Sequence, residues 1–157
     1  MSIGRSILLA AAQSDRLNNF ATKSRIVKRA TKAFMPGERP EDALEAGARL
    51  AKDGRHLIYT KLGEALTVLK DADEVRDHYF WMFDAIRERK LPARVSIKPT
   101  QLGLDQSETT CLSHCFALAA KAESSGSALW IDMEDSSYVD RTLALYEAVK
   151  AKHPKTG

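Results

Sequence analysis

Three short apolar segments recur along the chain at nearly constant spacing, and each is followed by a longer segment with helical periodicity. The three segments begin at positions 57, 94 and 128, which are 37 and 34 residues apart. This spacing is close to the size of one strand–helix repeat, in which successive strands lie parallel. A helical segment from Glu41 to Lys52, entered through Pro40, precedes the first strand. The sequence therefore predicts one helix followed by three βα units.

Local signals set the expected limits of these elements. The predicted strands are Leu57–Leu62, Arg94–Lys98 and a third, apolar enough to be buried, that starts at Ala128. The helices between and after them are expected to be capped by Asp71 or Asp73, by Asp105 or Ser107, and by Asp135 or Ser136. Along the first of these helices, Val75, Tyr79, Met82, Phe83 and Ile86 recur at helical spacing and are assigned to the core.

Parallel strands covered by helices occur in doubly wound open sheets and in (β/α)₈ barrels. No two of the eight glycines stand two residues apart, so the G-x-G-x-x-G phosphate loop of many open sheets is absent. Polar residues alternate on the second and third strands, as the mouth of a barrel requires. Eight repeats of about 35 residues would need roughly 280 residues, and this chain has room for three.

The fold class predicted is α/β, namely the N-terminal portion of a (β/α)₈ TIM-type barrel. Residues 1–40 are expected to form an N-terminal helical segment, and residues 41–157 the partial barrel. Such an incomplete barrel should expose strand edges and one uncovered face of the sheet.

The composition excludes several classes of protein. With 44% hydrophobic and 29% charged residues, the chain is typical of globular domains. A net charge of +3 is too small to indicate a nucleic-acid partner, and no apolar run is long enough for a transmembrane helix.

The two cysteines, Cys111 and Cys115, stand four residues apart in a predicted helix, where a disulfide seldom has good geometry. A reduced, cytoplasmic setting is therefore expected. His114 lies between them, but no fourth ligand is evident. Buried cysteines beside a surface histidine are therefore favoured over a metal site.

Ionisable residues follow each predicted strand. Glu64 follows the first strand, Lys98 ends the second, and Asp132 and Glu134 end the third. The carboxyl ends of parallel strands meet at one rim, where α/β enzymes bind ligands. One cation against three carboxylates leaves a net charge of −2, so this rim is expected to hold uncompensated acid. In the alternative interpretation, these acids only cap the next helix.

At these positions the sequence resembles the proline dehydrogenases. Residues Ser96–Leu104 (SIKPTQLGL) and Ile131–Ser136 (IDMEDS) are similar to the paired signatures of that family, and Phe34–Glu38 and Leu62–Glu64 are similar to its earlier landmarks in the same order. The likeness is strongest to the short, monofunctional bacterial enzymes. It implies a flavoprotein of proline catabolism, a (β/α)₈ barrel that binds FAD. The reaction implied is oxidation of L-proline to 1-pyrroline-5-carboxylate, with hydride transfer to flavin N5.

The resemblance assigns roles to four residues. Lys98 matches the lysine that contacts the proline carboxylate, and Glu64 matches a glutamate that pairs with a substrate-gripping arginine. Asp132 matches the catalytic aspartate, which helps to hold that lysine. Met133 matches a position that contacts the flavin through its backbone.

The family's later flavin-binding segments and its carboxyl-terminal arginine pair have no counterpart in the sequence, which resembles about the first half of such an enzyme. FAD is therefore expected for the complete barrel rather than for this chain alone. Two interpretations stay open: an enzyme completed by a second chain or shortened by a break in its gene, and a non-catalytic remnant or interaction module.

Overall fold

The computed structural model describes residues 37, 39–63 and 65–157. The predicted N-terminal helical segment lies almost wholly outside the described residues, as does Glu64. The chain divides into two compact units, Met1–Ala46 and Gly47–Gly157, and the second unit contains all the strands of the described residues. The expected division after residue 40 stays a prediction.

The described residues form four helices, three strands and one short 3-10 helix. In chain order they are α1 (Pro40–Lys52), β1 (Leu57–Tyr59), α2 (Asp71–Glu88), β2 (Ala93–Ile97), the 3-10 helix (Pro99–Leu102), α3 (Glu108–Ser124), β3 (Leu129–Ile131) and α4 (Val139–Lys152). The strands form one parallel sheet in the order β1-β2-β3. This confirms the predicted order of elements and the α/β class, although each strand is shorter than, or displaced from, its predicted limits.

The helix ends agree only in part with the predicted caps. Ser107 caps α3 as one of the two alternatives, because its hydroxyl accepts a hydrogen bond from Thr110 N at 3.2 Å. The prediction for α2 was wrong: Lys70 precedes the helix without a side-chain cap, and Asp71 and Asp73 lie inside its first turn. Acidic side chains at that place stabilise a helix through its dipole rather than by capping. The prediction for α4 was also wrong, since its N-cap is Tyr138.

The sheet is covered on one face and open on the other. The register aligns Tyr59 with Val95 and Val95 with Leu129, and α2 and α3 pack against this row. On the opposite face Ile58 is 55% exposed and Trp130 is 38% exposed. The uncovered face was thus predicted correctly. The expectation of a buried third strand was wrong for the side that carries Trp130, because no element of the described residues covers it.

The core lies between the covered face and the helices. All five residues assigned to the core face of α2 are buried, which confirms that prediction.

Cys111 and Cys115 are buried and form no disulfide. The hydrogen bond with Cys111, together with burial, raises the pKa of the Cys115 thiol. His114 was wrongly expected on the surface. It is 5% exposed, and its Nε2 lies 3.2 Å from Asp73 Oδ1, a contact between α3 and α2.

Among the described residues, no helix has both the length and the apolar character needed to cross a membrane. No group of three or more metal-ligating side chains occurs there either. The cellular compartment stays a prediction.

Helices α2 and α3 are also joined by an ion pair. Lys121 Nζ lies 2.6 Å from Asp84 Oδ1, and this hydrogen bond holds the pKa of Asp84 below its ordinary value. A carboxylate with a lowered folded-state pKa stabilises the fold above the unfolded-state pKa. The contribution is lost as the pH falls through the folded-state value.

We expect Lys121→Met to lower the urea midpoint of unfolding at neutral pH. The loss should be below about 1 kcal/mol, because both side chains are partly exposed to solvent. The difference from wild type should shrink as the pH falls through the folded-state pKa of Asp84. Urea midpoints over a series of pH values measure this, with Lys155→Met as control, since Lys155 has no ion pair in the described part of the chain. A difference that is constant with pH would contradict the assignment.

Candidate functional site

The carboxyl ends of β2 and β3 place Lys98 beside Asp132. Lys98 follows directly on β2, and Asp132 follows directly on β3. The backbone N of Asp132 donates to Ile97 O at 2.9 Å, so the pairing of the two strands continues one residue beyond β3. The positions of Lys98 and Asp132 therefore meet at one rim of the sheet, as predicted.

A serine on β2 holds the aspartate. The hydroxyl of Ser96 donates a hydrogen bond to Asp132 Oδ1. Ser96 is 4% exposed and lies two residues before Lys98, on the same side of the strand. Sequence reasoning placed Ser96 on the polar face but gave it no role.

Glu134 is held by the 3-10 helix that follows Lys98. Thr100 N donates to Glu134 Oε2 at 3.1 Å, and Thr100 Oγ1 donates to Glu134 Oε1 at 2.6 Å. Both carboxylate oxygens thus have partners, and both donors are neutral groups. Neutral donors add no positive charge, so the predicted excess of acid at the rim is not compensated by this contact, and no role was predicted for Thr100.

Asp135 closes a local turn rather than capping a helix. Its Oδ1 accepts hydrogen bonds from Ser137 N at 2.8 Å and from Ser137 Oγ at 2.5 Å. The hydroxyl bond and then the backbone bond hold the pKa of Asp135 below its ordinary value. The capping interpretation therefore explains neither Asp132 nor Glu134, which bond to β2 and to the 3-10 helix.

Lys98 is the cation of this rim that has no partner in the described part of the chain. It is partly buried, and it forms no ion pair with Asp132, Glu134 or any other described carboxylate. The expected contact with Asp132 is thus not formed as an ion pair. Glu64, the fourth residue predicted at the rim, lies outside the described residues. The functional roles of all four residues stay predictions.

The segment after β1 is attached to the same 3-10 helix. Leu66 N donates to Thr100 O at 3.3 Å, and Gln106 Nε2 donates to Leu66 O at 2.5 Å. At the start of the segment, Lys61 N donates to the hydroxyl of Tyr79 at 3.0 Å. Burial raises the pKa of Tyr79, so this hydroxyl stays protonated at neutral pH. These hydrogen bonds therefore attach the segment after β1 to the residues that follow β2.

The amide of Gln101 is a further feature that sequence reasoning missed. Gln101 is 2% exposed, and neither atom of its amide has a hydrogen-bond partner in the described part of the chain. Gly63 lies against it, since a Cβ at Gly63 would be 2.9 Å from Gln101 Nε2. The available signal was a glutamine in the segment from Pro99 to Leu104, where Thr100 has the only other polar side chain.

Met133 projects beyond the sheet and is 49% exposed. Its backbone forms no hydrogen bond to another backbone group of the described residues, unlike that of Asp132. The N–H and C=O of Met133 can therefore form hydrogen bonds with a ligand at the rim.

Arg94 and Trp130 are in contact on the open face of the sheet. The Cζ atom of Arg94 lies over the ring of Trp130, 5.4 Å from the ring centroid.

A cavity lies at the other end of the strands. It has a volume of about 710 Å³, and its lining includes His56, Arg94 and Gly157 but none of the candidate rim residues. Gly157 pairs with β3, since Gly157 N donates to Leu129 O and Ile131 N donates to Gly157 O, both at 2.9 Å. This cavity is therefore separate from the rim where the ionisable groups meet.

The chain is similar to curated proline dehydrogenases over nearly its whole length, although no protein-family model matches it. It is 32% identical over 153 residues to proline dehydrogenase 1 of Bacillus subtilis strain 168 and of Bacillus subtilis subsp. natto, which covers 98% of this chain and 50% of each relative. It is 29% identical over 119 residues to the proline dehydrogenase of Deinococcus radiodurans, covering 74% of this chain and 38% of that one. The chain thus spans about half the length of the Bacillus relatives, and the resemblance noted in its motifs is confirmed.

A solved structure shares the fold. Proline utilization A from Bdellovibrio bacteriovorus, inactivated by N-propargylglycine, superposes with a TM-score of 0.69 at 21% identity. The match covers 79% of this chain and 15% of that protein.

Proposed function

We propose that the chain is the N-terminal part of a proline dehydrogenase that oxidises L-proline to 1-pyrroline-5-carboxylate with FAD. One observation carries the proposal: a lysine with no ion pair in the described part of the chain stands beside a hydrogen-bonded aspartate at the carboxyl end of a parallel sheet. These are Lys98 and Asp132, and they occupy the two motifs through which the sequence resembles the family. The similarity to curated proline dehydrogenases supports the reaction class.

The proposal includes a (β/α)₈ barrel, of which this chain supplies about three units. Parallel sheets in proteins are normally covered on both faces or closed into a barrel. The open face here carries Ile58 and Trp130, and closing the sheet on itself would remove both from water. The Bacillus relatives are about twice as long as this chain, which is enough for the remaining strands.

The rim residues suit the binding of an amino-acid substrate. Lys98 would bind the carboxylate of proline, because its ammonium has no competing partner in the described part of the chain. Asp132, oriented by Ser96, would hold the geometry around that contact. Hydride transfer depends on close positioning of substrate and cofactor more than on acid–base catalysis. A lysine that binds the substrate carboxylate at a fixed position therefore suits this reaction.

The residues present also fit the edge of a flavin site. Met133 has an exposed side chain next to Asp132, and its backbone groups bond to no other backbone group of the described residues, so it would contact the flavin there. FAD, when bound, supplies the hydride acceptor. The remaining contacts of such a cofactor would come from the half of the barrel that the relatives have in addition.

We expect the 157-residue chain alone to retain no FAD and to show no proline-dependent dye reduction, because it supplies one cation at the rim and about half of a barrel. Expression together with a second chain, equivalent to the later half of the Bacillus subtilis relative, tests the proposal. This completed barrel should show flavin absorbance and proline-dependent reduction, both measured on the purified complex, and Lys98→Ala should abolish the reduction. A completed barrel that binds FAD but does not respond to proline would favour the non-catalytic remnant.

A further inference from the structure

We propose that Thr100 is a positioning residue that keeps Glu134 away from Lys98, so that the lysine charge stays available to a substrate carboxylate. The inference rests on the proposed role of Lys98, and it gives a function to a contact that no part of the reaction itself requires.

The geometry of the contact is specific. Thr100 uses both its backbone N–H and its hydroxyl, and each meets a different oxygen of Glu134, at 3.1 and 2.6 Å. Thr100 is 3% exposed within the 3-10 helix, so its donors occupy fixed positions. The pair bridges 34 residues of sequence and connects the rims of β2 and β3. Glu134 therefore has little freedom to turn toward another partner.

The contact between Thr100 and Glu134 matters because Glu134 and Lys98 carry opposite charges at one rim of the sheet without forming an ion pair. A carboxylate bonds more strongly to a cation than to neutral donors, and a lysine side chain is flexible enough to reach one nearby. Lys98 is two residues from Thr100, yet it has no ion pair with Glu134. Asp132 also accepts a hydrogen bond from a neutral group, the hydroxyl of Ser96, whose side chain is 4% exposed. Glu134 thus has a donor at each oxygen and Asp132 has one at Oδ1, and none of these donors is the ammonium of Lys98.

The proposal predicts what happens when the hydroxyl is removed. Thr100→Val keeps the shape of the side chain but releases Glu134 Oε1, while Thr100 N still holds Oε2. The released oxygen can then pair with Lys98, which lowers the reactivity of its amine. We expect acetylation of Lys98 by an N-hydroxysuccinimide ester to slow by roughly two- to fivefold, the range that a partly exposed ion pair supports. Peptide mass spectrometry of the full chain measures this, with the exposed Lys70 as internal reference.

A second substitution separates positioning from general packing. In Thr100→Val/Glu134→Gln no carboxylate is released, so the acetylation rate of Lys98 should return to the wild-type value. A loss of packing at Thr100 would not be repaired in this way. Thr142→Val is the matched control, because Thr142 is 1% exposed and its hydroxyl has no partner in the described part of the chain. That variant should leave Lys98 unchanged.

Two outcomes would overturn the proposal. One is a folded Thr100→Val chain, judged by circular dichroism, in which Lys98 reacts as in wild type or in which the double variant does not restore the rate. The other is a faster reaction of Lys98 in Glu134→Gln alone, which would show that Glu134 already pairs with the lysine. The second result decides the matter even if Thr100→Val does not fold. Neither measurement uses proline or FAD, so failure here is distinguishable from failure of the proposed function.

Discussion

Replacing Lys98 by methionine is expected to raise the KM for proline in the completed barrel by roughly 10- to 100-fold, without loss of bound FAD. The factor corresponds to the loss of a charge-assisted hydrogen bond, worth about 1.5–3 kcal/mol. Methionine keeps much of the length and apolar stem of lysine but has no charge, so the substrate carboxylate loses its partner. Steady-state kinetics with varied proline, together with flavin absorbance of the purified complex, measure the two effects separately.

The same substitution should change the stability of the chain very little. Lys98 forms no ion pair in the described part of the chain, so its removal leaves no described carboxylate without a charged partner. Urea midpoints should therefore agree with wild type within about 0.5 kcal/mol. Lys70→Met serves as control for the loss of a surface charge, and it should leave the KM unchanged. An unchanged KM with lost flavin would contradict the assignment of Lys98 to the substrate.

Gly103→Ala is expected to destabilise the fold more than Lys98→Met, Lys121→Met or Gly126→Ala. Gly103 ends the 3-10 helix with φ +90°, and a Cβ there would lie 2.7 Å from Leu69 Cδ1 and 3.6 Å from Ala72 Cβ. The left-handed conformation costs a non-glycine residue about 1–2 kcal/mol, and crowding in a packed site adds about 1–3 kcal/mol. Together they predict a loss of about 2–5 kcal/mol in the free energy of unfolding, measured by urea denaturation.

A matched control isolates the crowding. Gly126 has φ +72° but open space around it, since no heavy atom lies within 4 Å of the position that a Cβ would take. Gly126→Ala should therefore cost only the conformational part, about 1–2 kcal/mol. Equal losses at the two positions would show that Leu69 and Ala72 move aside easily. A larger loss at Gly103 would confirm that the segment before α2 packs tightly on the helix that carries Thr100.

Much of the fold could be predicted because its signals are local. The apolar stripe of α2 has the 3.6-residue period of a helix, and all of it is buried. Pro40 begins α1 because proline suits the first turn of a helix, and Gly54, with φ +75°, follows its end. The regular recurrence of strand and helix was enough to order the parallel sheet. It also placed Lys98 and Asp132 at the same rim, since the carboxyl ends of parallel strands meet there.

The sequence by itself therefore determined the order of the elements, the presence of an uncovered face of the sheet and the positions of Lys98, Asp132 and Glu134 at its rim. Only the tertiary structure decided which groups bond to one another. The bonds from Ser96 to Asp132 and from Thr100 to Glu134 span 36 and 34 residues, and no periodicity encodes them. They depend on strand register and on the position of the 3-10 helix, which arise from packing of the whole sheet against α2 and α3. For that reason the sequence placed Lys98, Asp132 and Glu134 at one rim but did not predict the neutral groups that bond to the two carboxylates. Neutral donors from β2 and the 3-10 helix bond to these carboxylates, and Lys98 has no ion pair in the described part of the chain.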